Sequence, residues 1–403
     1  MKKIALDLGG SETKVAIGES SFPLSVEGSV VQVDVSTPVK DYIEDKYSDF
    51  IIVDHPRESL RNCRYLKGES KDHFEGKTIY CDNQSAKTEQ DITYINAAYA
   101  VALMALKNGE EIEEGFKLGV CIPTAEYYAN KTSYKDVFKK NMTGKHTVSF
   151  PLLGKTISFE LEYSNILVCP EGVVYALIHR SNTQFKNGNT LIVDVGHRST
   201  DVTVLEKFRP VGRAAASRPI GGIVLEALVR NELERDNKLI SKEEVSEALR
   251  NHYIIREKSL VPINTYIERA KKIDYDNWVE KCIELLNQET GTIATPSEIN
   301  KAYDNYFIMS GNGVCDITET VNYAKETFSS QVYDTVIEVL SLTGKNIGSI
   351  NNVVLVGRPF EGDYTLKGNL ANMLLKRLGN GVNYYPARDL KYANVEEIIK
   401  ALG

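Results

Sequence analysis

The chain has 403 residues, 42% of them hydrophobic, and a formal net charge of −7. That length suggests two domains rather than one. The apolar fraction excludes general disorder, and the acidic balance argues against broad non-specific DNA binding, which needs a dense cationic face.

In chain order, "MKKIAL" begins like a signal peptide, but Asp7 interrupts the apolar run almost at once. Ile4 to Ile17, "IALDLGGSETKVAI", reads as a central strand, a tight glycine turn and an antiparallel return. Residues 34–85, around "DFIIVDHP", read as a small inserted subdomain. "DITYINAAYAVALMALKNG" (91–109) is an Ala-rich helix of low polarity, expected to lie buried against a sheet. Asp91 and Thr93 are its possible starts and Asn108-Gly109 its stop. Residues 118–140 read as a strand, a Pro-containing loop and a polar stretch. Residues 165–177, "NILVCPEGVVYAL", read as a strand followed by a helix opening at Pro170 and Glu171.

The second half would begin near residue 189. Gly221-Gly222 precede an amphipathic helix whose N-terminus offers N–H groups to phosphate or sugar. Glu226, one turn on, is a candidate for ribose hydroxyls, against the plainer reading of a helix-face acid. Residues 241–305 are charged and helical in period, the second inserted subdomain (about 230–310). "FIMSGNGVCDI" (307–317) reads as a loop with turn glycines, and 318–344 as a long amphipathic helix ending at Gly344. A buried strand, a Gly turn and a helix follow over 350–379, then a last helix over 392–403. The six cysteines form no C-x-x-C pair and the histidines no H-E-x-x-H spacing, so zinc or iron–sulfur ligation has little support. No run is apolar enough to span a bilayer. The reading is a cytoplasmic protein with reduced thiols.

The opening device occurs twice. Residues 191–204 read "LIVDVGHRSTDVTV". With Asp7 set on Asp194, Gly9 falls on Gly196, Thr13 on Thr200 and Lys14 on Asp201. Glycine permits a turn whose N–H groups face a small anion. Two such turns, with Asp7 and Asp194 at strand ends facing one cleft, suit a magnesium–triphosphate: the turns hold phosphate oxygens and the acids hold the metal through water. Lys14 is a point charge beside the phosphates. The alternative is two ordinary β-hairpins with turn-favouring Gly and Ser.

The paired motifs resemble the phosphate-1 and phosphate-2 loops of the actin, sugar kinase and heat-shock chaperone superfamily, with His197 and Arg198 where small residues are usual. The segments 118–140 and 165–177 look like those of ParM-type plasmid-segregation actins, in which a strand ending in Pro and an acidic-Tyr-Tyr step precedes a strand ending Pro-Glu. There the glutamate positions the attacking water, a role the resemblance gives to Glu171. "VVLVGRPF" resembles the adenosine motif, with Arg358 in place of its second glycine. The resemblance implies an α/β, actin-like (ribonuclease H-like) fold of two similar domains, 1–188 and 189–403, with a nucleotide cleft between them. The helix over 392–403 would cross back onto the first domain.

By the same resemblance, the chain is an ATPase, with GTP as an alternative nucleotide. Asp7 and Asp194 hold hydrated Mg²⁺. Gly9, Gly10, Ser11, Glu12, Thr13 and Lys14, with Gly196, His197, Arg198, Ser199 and Thr200, surround the phosphates. Gly221, Gly222, Glu226, Gly357, Arg358 and Phe360 take the nucleoside. The chain would polymerise into dynamic filaments and move plasmid DNA through a ParR-like DNA-binding adaptor, with no nucleic-acid or membrane contact of its own. Competing readings are a small-molecule kinase of the same superfamily, with Asp54 as its base, or another bacterial cytoskeletal actin.

Overall fold

A computed structural model gives the structure of the chain. It describes all residues except 20, 35–38, 40–46, 69–75, 83–84, 130–132, 177–178, 180, 236–239, 311–312, 358–369, 380–381 and 386–391, and omits the side chains of 175, 212–214, 310, 370, 385 and 393. The chain forms two compact units. The first holds Met1–Pro219, Thr335–Arg358 and Gly381–Gly403; the second holds Ile220–Asp334 and Pro359–Asn380.

In chain order the elements begin β1 (Lys2–Leu8), β2 (Glu12–Ile17), β3 (Leu24–Glu27), β4 (Val30–Gln32), β5 (Phe50–Asp54), β6 (Cys63–Leu66) and β7 (Lys77–Ile79). Then come α1 (Asp91–Asn108), β8 (Phe116–Ile122), α2 (Thr124–Tyr127), α3 (Tyr134–Met142), β9 (Gly144–Phe150), β10 (Lys155–Leu161), β11 (Ile166–Pro170), α4 (Val173–Ala176), α5 (Thr183–Asn187), β12 (Asn189–Val195), β13 (Thr200–Glu206) and β14 (Arg209–Arg218). The run α6 (Gly222–Arg235), α7 (Lys242–Arg250), β15 (Tyr253–Arg256), β16 (Ser259–Pro262), α8 (Asn264–Ile273), α9 (Trp278–Thr290), α10 (Pro296–Asp304), β17 (Phe307–Ser310) and β18 (Gly313–Asp316) follows. The chain closes with α11 (Thr318–Leu342), β19 (Asn352–Val356), α12 (Leu370–Leu378), β20 (Asn383–Tyr385) and α13 (Ala393–Ala401).

In the first unit, β1 is the centre of a five-stranded sheet ordered β11–β8–β1–β2–β3, antiparallel to β2 and parallel to β8. Its apolar run is continuous because both faces are covered. Ile4, Leu6 and Leu8 join the core that contains α1. Ala5 joins Ala16, Cys121, Val395, Ile398 and Leu402, where α13 lies on the sheet. The approach of α13 requires Gly119, because a Cβ there would stand 2.1 Å from the Ile398 Cγ2.

Helix α1 buries every residue from Ile92 to Ala105. It needs no polar face because it packs on β1 and β2 and also on β5, β9 and β10. Each large side chain so buried contributes roughly 1.5–3 kcal/mol. Asp91 sits in the first turn, where the helix dipole favours an acid. Gly109, at φ 62°, stops the helix and bonds the carbonyls of Ala105 and Leu106.

A six-stranded sheet runs β10–β9–β5–β6–β4–β7. Residues 34–85 therefore do not pair only among themselves: β5 also pairs with β9, Ile52 opposite Ser149. The third sheet, β14–β13–β12–β19–β20, repeats the design of the first. Its strand β12 is antiparallel to β13 and parallel to β19.

The second unit carries a small core of its own, with Ile254, Ile263, Ile267, Cys282, Leu286 and Ile299. Capping boxes at Ser241/Glu244 and Thr295/Glu298 start α7 and α10. The helical reading of 241–305 omitted the hairpin β15–β16, and the segment 307–317, read as a loop, forms the strands β17 and β18.

Candidate active site

Both glycine hairpins have the same register. In the first, Asp7 faces Lys14 and Leu8 faces Thr13; in the second, Asp194 faces Asp201 and Val195 faces Thr200. Each turn spans four residues, which is why one constant offset aligns the two sequences.

Glycine has a steric reason in the first turn. A Cβ on Gly9 would stand 2.6 Å from the Glu12 carbonyl oxygen. The turn is braced from behind: Gly28 N–H donates to the Ser11 carbonyl at 2.7 Å, and Ser25 Oγ to Glu12 Oε2 at 2.9 Å. Asn96 of α1 donates to the Gly28 carbonyl at 2.8 Å and accepts from Lys67 Nζ at 2.5 Å. The second turn closes on itself, Gly196 N–H donating to the Ser199 carbonyl at 2.8 Å. Its Arg198 lies along Gly10, donates to the Cys81 carbonyl and stands 5.8 Å from the Tyr80 ring.

Acids of both hairpins act on Glu171, Asp7 from the first and Asp201 and Asp194 from the second. Glu171 is in the turn after β11, not in the first turn of a helix: Gly172, at φ 69°, intervenes before α4 begins at Val173. That glycine lies against Asp194, whose Cβ would be 3.2 Å from a Cβ at 172. The Glu171 backbone is pinned by its N–H to the Ile122 carbonyl (2.8 Å) and by Thr124 Oγ1 donating to its carbonyl (2.8 Å). Its carboxylate accepts from Lys87 Nζ at 3.0 Å, with both side chains largely buried.

Lys87 was not singled out in the sequence, and Glu126 was noted there only as the acid of a Tyr-Tyr step. Glu126 accepts from Lys87 N (2.7 Å), Thr88 N (3.3 Å) and Thr88 Oγ1 (3.1 Å).

The cluster is overloaded with negative charge. Burial, then Asp201 and Asp7, push the Asp194 carboxyl up to about 7. Burial also raises Glu171; Lys87 opposes the rise, while Asp201, Asp7 and Asp194 add to it. Asp201 is raised by burial against the pull of Lys87, Ser217 and Ser199. For the two lysines burial works the other way. Asp7, Glu12 and Asp194 outweigh it at Lys14, and Glu171, Cys81 and Asp201 outweigh it at Lys87, so both ammonium groups titrate above their ordinary value. Asp7 accepts from Lys14 Nζ at 3.2 Å and from Asn394 Nδ2 at 3.5 Å. The buried Thr13 hydroxyl has no hydrogen-bond partner among the described residues.

An excess of carboxylate over ammonium fits a hard divalent cation and oxygen-rich ligands. Among the described residues, no three His, Cys, Asp or Glu side chains converge as direct ligands of one ion.

Gly357, at φ 107°, follows β19 so closely that a Cβ would be 2.1 Å from the Val195 carbonyl oxygen. Arg358 and Phe360 lie outside the described residues. Gly221 and Gly222 open α6 in the second unit. There Glu226 accepts from Ser246 Oγ at 2.9 Å and Arg250 Nη2 at 3.2 Å, so α7 engages it. Asp54 ends β5 on the surface. His197 stands in the second turn.

No protein-family model matches the chain, and no curated protein does. Solved structures do. The actin-like protein Alp7A superposes with a TM-score of 0.65 at 15% identity, over 99% of this chain and 95% of that one. A 15-stranded ParM filament from Clostridium botulinum gives 0.59 at 16%, over 100% and 98%. Bacillus thuringiensis ParM with ATP gives 0.58 at 12%, over 100% and 98%. At such identities the likeness speaks for architecture, and with the repeated hairpin sheets it establishes that this chain has the actin-like fold.

Proposed function

We propose that the chain is a Mg²⁺-dependent ATPase, with GTP as an alternative substrate, that assembles into filaments. The observation that carries this reading is the group of buried Asp7 and Glu171 with half-buried Asp194, Lys14 and Lys87, beside two hairpins of equal register. The fold shared with a ParM that carries ATP and with a ParM filament supports it.

Asp7 and Asp194 would hold hydrated Mg²⁺, which on binding would neutralise phosphate charge. The N–H groups of Gly9–Thr13 and Gly196–Thr200, with Lys14, would take the phosphate oxygens. The Glu171 carboxylate would accept a hydrogen bond from the attacking water and turn it in line with the terminal phosphate. Catalysis would then be positioning plus electrostatics. Gly221, Gly222 and Gly357 would serve the nucleoside end, and loss of the terminal phosphate would loosen subunit contacts.

In the cell the filament would act in the cytoplasm and move plasmid DNA through a ParR-like DNA-binding adaptor. The net charge of −7 suits a chain that leaves DNA contact to a partner, and no helix among the described residues is long and apolar enough to cross a membrane.

The test is phosphate release and light scattering, followed together across protein concentration with Mg-ATP, Mg-GTP and Mg-ADP. The expected result is scattering above a critical concentration with a triphosphate, and its decay as diphosphate accumulates. Hydrolysis that needs a second small-molecule substrate, with no scattering at any concentration, would overturn the filament reading in favour of a kinase.

A further inference from the structure

We infer that Lys87 is the positioning residue for Glu171, and that α2 sets the pair as one preformed unit. This rests on the hydrolytic reading above and adds a residue to it. The geometry is a closed loop of contacts. The short segment 122–126 holds both partners at once. It fixes the Glu171 backbone through the Ile122 carbonyl and Thr124 Oγ1. It fixes the Lys87 backbone through the Glu126 carboxylate, which accepts from two successive N–H groups and from the Thr88 hydroxyl. The Lys87 Nζ then spans 3.0 Å to Glu171 Oε1.

An ammonium on one carboxylate oxygen leaves the other for water and restricts rotation of a side chain that would otherwise turn toward any donor. Such restriction is what a water-positioning group needs, because small misplacement of a reacting group costs about 10²-fold in rate. The Lys87 side chain is only 17% exposed. It faces Glu171, Cys81 and Asp201. Glu171 itself faces Asp201, Asp7 and Asp194 besides Lys87, so Lys87 sets a positive charge against three acids at that carboxylate.

The experiment compares steady-state phosphate release from Mg-ATP by the full chain and by Glu171→Gln, Lys87→Met, Lys87→Arg and the Glu171→Gln/Lys87→Met double variant, with thermal melting of each. Lys87→Met is expected to lower kcat on the order of 10²-fold with KM within about threefold. Lys87→Arg, which keeps the charge and the hydrogen bond, is expected to recover part of the loss. The double variant is expected to be no slower than Glu171→Gln alone, because one residue acts through the other. Full loss of rate in Glu171→Gln together with unchanged kcat in Lys87→Met would overturn the inference and leave the hydrolytic reading standing. So would a raised KM at constant kcat, which would make Lys87 a phosphate ligand, or losses that multiply in the double variant. Unchanged kcat in Glu171→Gln would overturn both. If Lys87→Met melts early, Lys87→Arg alone decides: a kcat below that of the native chain but above that of Glu171→Gln, at unchanged KM, supports the inference, and a kcat equal to that of the native chain or a loss as deep as that of Glu171→Gln overturns it.

Discussion

The two glycine hairpins share backbone, register and turn length and differ in their chemistry. The first pairs opposite charges, Asp7 with Lys14 at 3.2 Å. The second sets Asp194 directly across from Asp201. Cross-strand neighbours on a ladder interact strongly enough that opposite charges stabilise and like charges destabilise. The first hairpin is thus electrically satisfied, and is also braced by Gly28, Asn96 and Lys67. The second carries charge that the first has already cancelled. A duplicated scaffold has been divided into a settled half and a half that stores repulsion, which is where a cation would be most strongly bound.

The deepest break is expected at the carboxylate both hairpins share. Glu171→Ala should retain nucleotide binding and slow phosphate release by about 10²-fold or more, measured by single-turnover kinetics. Next, the hairpins should respond oppositely to loss of a negative charge. Asp7→Asn leaves Lys14 without its partner and should cost up to about 3 kcal/mol, discounted for the partial exposure of the lysine. Urea denaturation without nucleotide measures it.

The turns should differ too. Gly9→Ala should cost about 2 kcal/mol, because the new Cβ would meet the Glu12 carbonyl at 2.6 Å. Gly196→Ala, with 3.3 Å to the Ser199 carbonyl, should cost less than about half of that. Equal losses in the two melting curves would erase the steric contrast.

The smallest effect carries the clearest sign. Asp201→Asn should stabilise the nucleotide-free protein by about 1 kcal/mol at pH 7. The folded Asp201 carboxyl titrates above its ordinary 3.8. Its favourable contribution is therefore complete below that value and lost as pH rises into the neutral range. The advantage of the Asn variant should vanish below about pH 4 and grow toward neutrality. A variant less stable than the native chain at pH 7 would mean that the attraction to Lys87 outweighs the repulsion from Asp194.

Much of the scaffold was legible in the sequence because it is local. The hairpin register follows from four-residue turns flanked by apolar strands, and α1 from an Ala-rich run with Gly109 behind it. The six-stranded sheet was not legible, since β5 and β9 pair across nearly a hundred residues of intervening chain that includes α1 and β8. Glu171 was placed one element too far on, because Gly172 spends a positive-φ turn before the helix starts. Lys87 carries no motif: in "SAKTEQ" nothing marks it, and its significance arises only where α2 brings Glu126 beneath it. From the sequence Glu226 reads as a helix-face acid or a ribose ligand, and the partners that α7 supplies, Ser246 and Arg250, carry no local signal.

The bond between Asn394 and Asp7 joins residues 387 positions apart. On a ribosome adding 5–20 residues per second, Asp7 is made and then waits roughly 20–80 s for that neighbour. The floor beneath the first sheet, Val395 to Leu402 against Ala5 and Ala16, arrives with it. The cluster around Asp7 is therefore among the last parts of the molecule to be completed during synthesis.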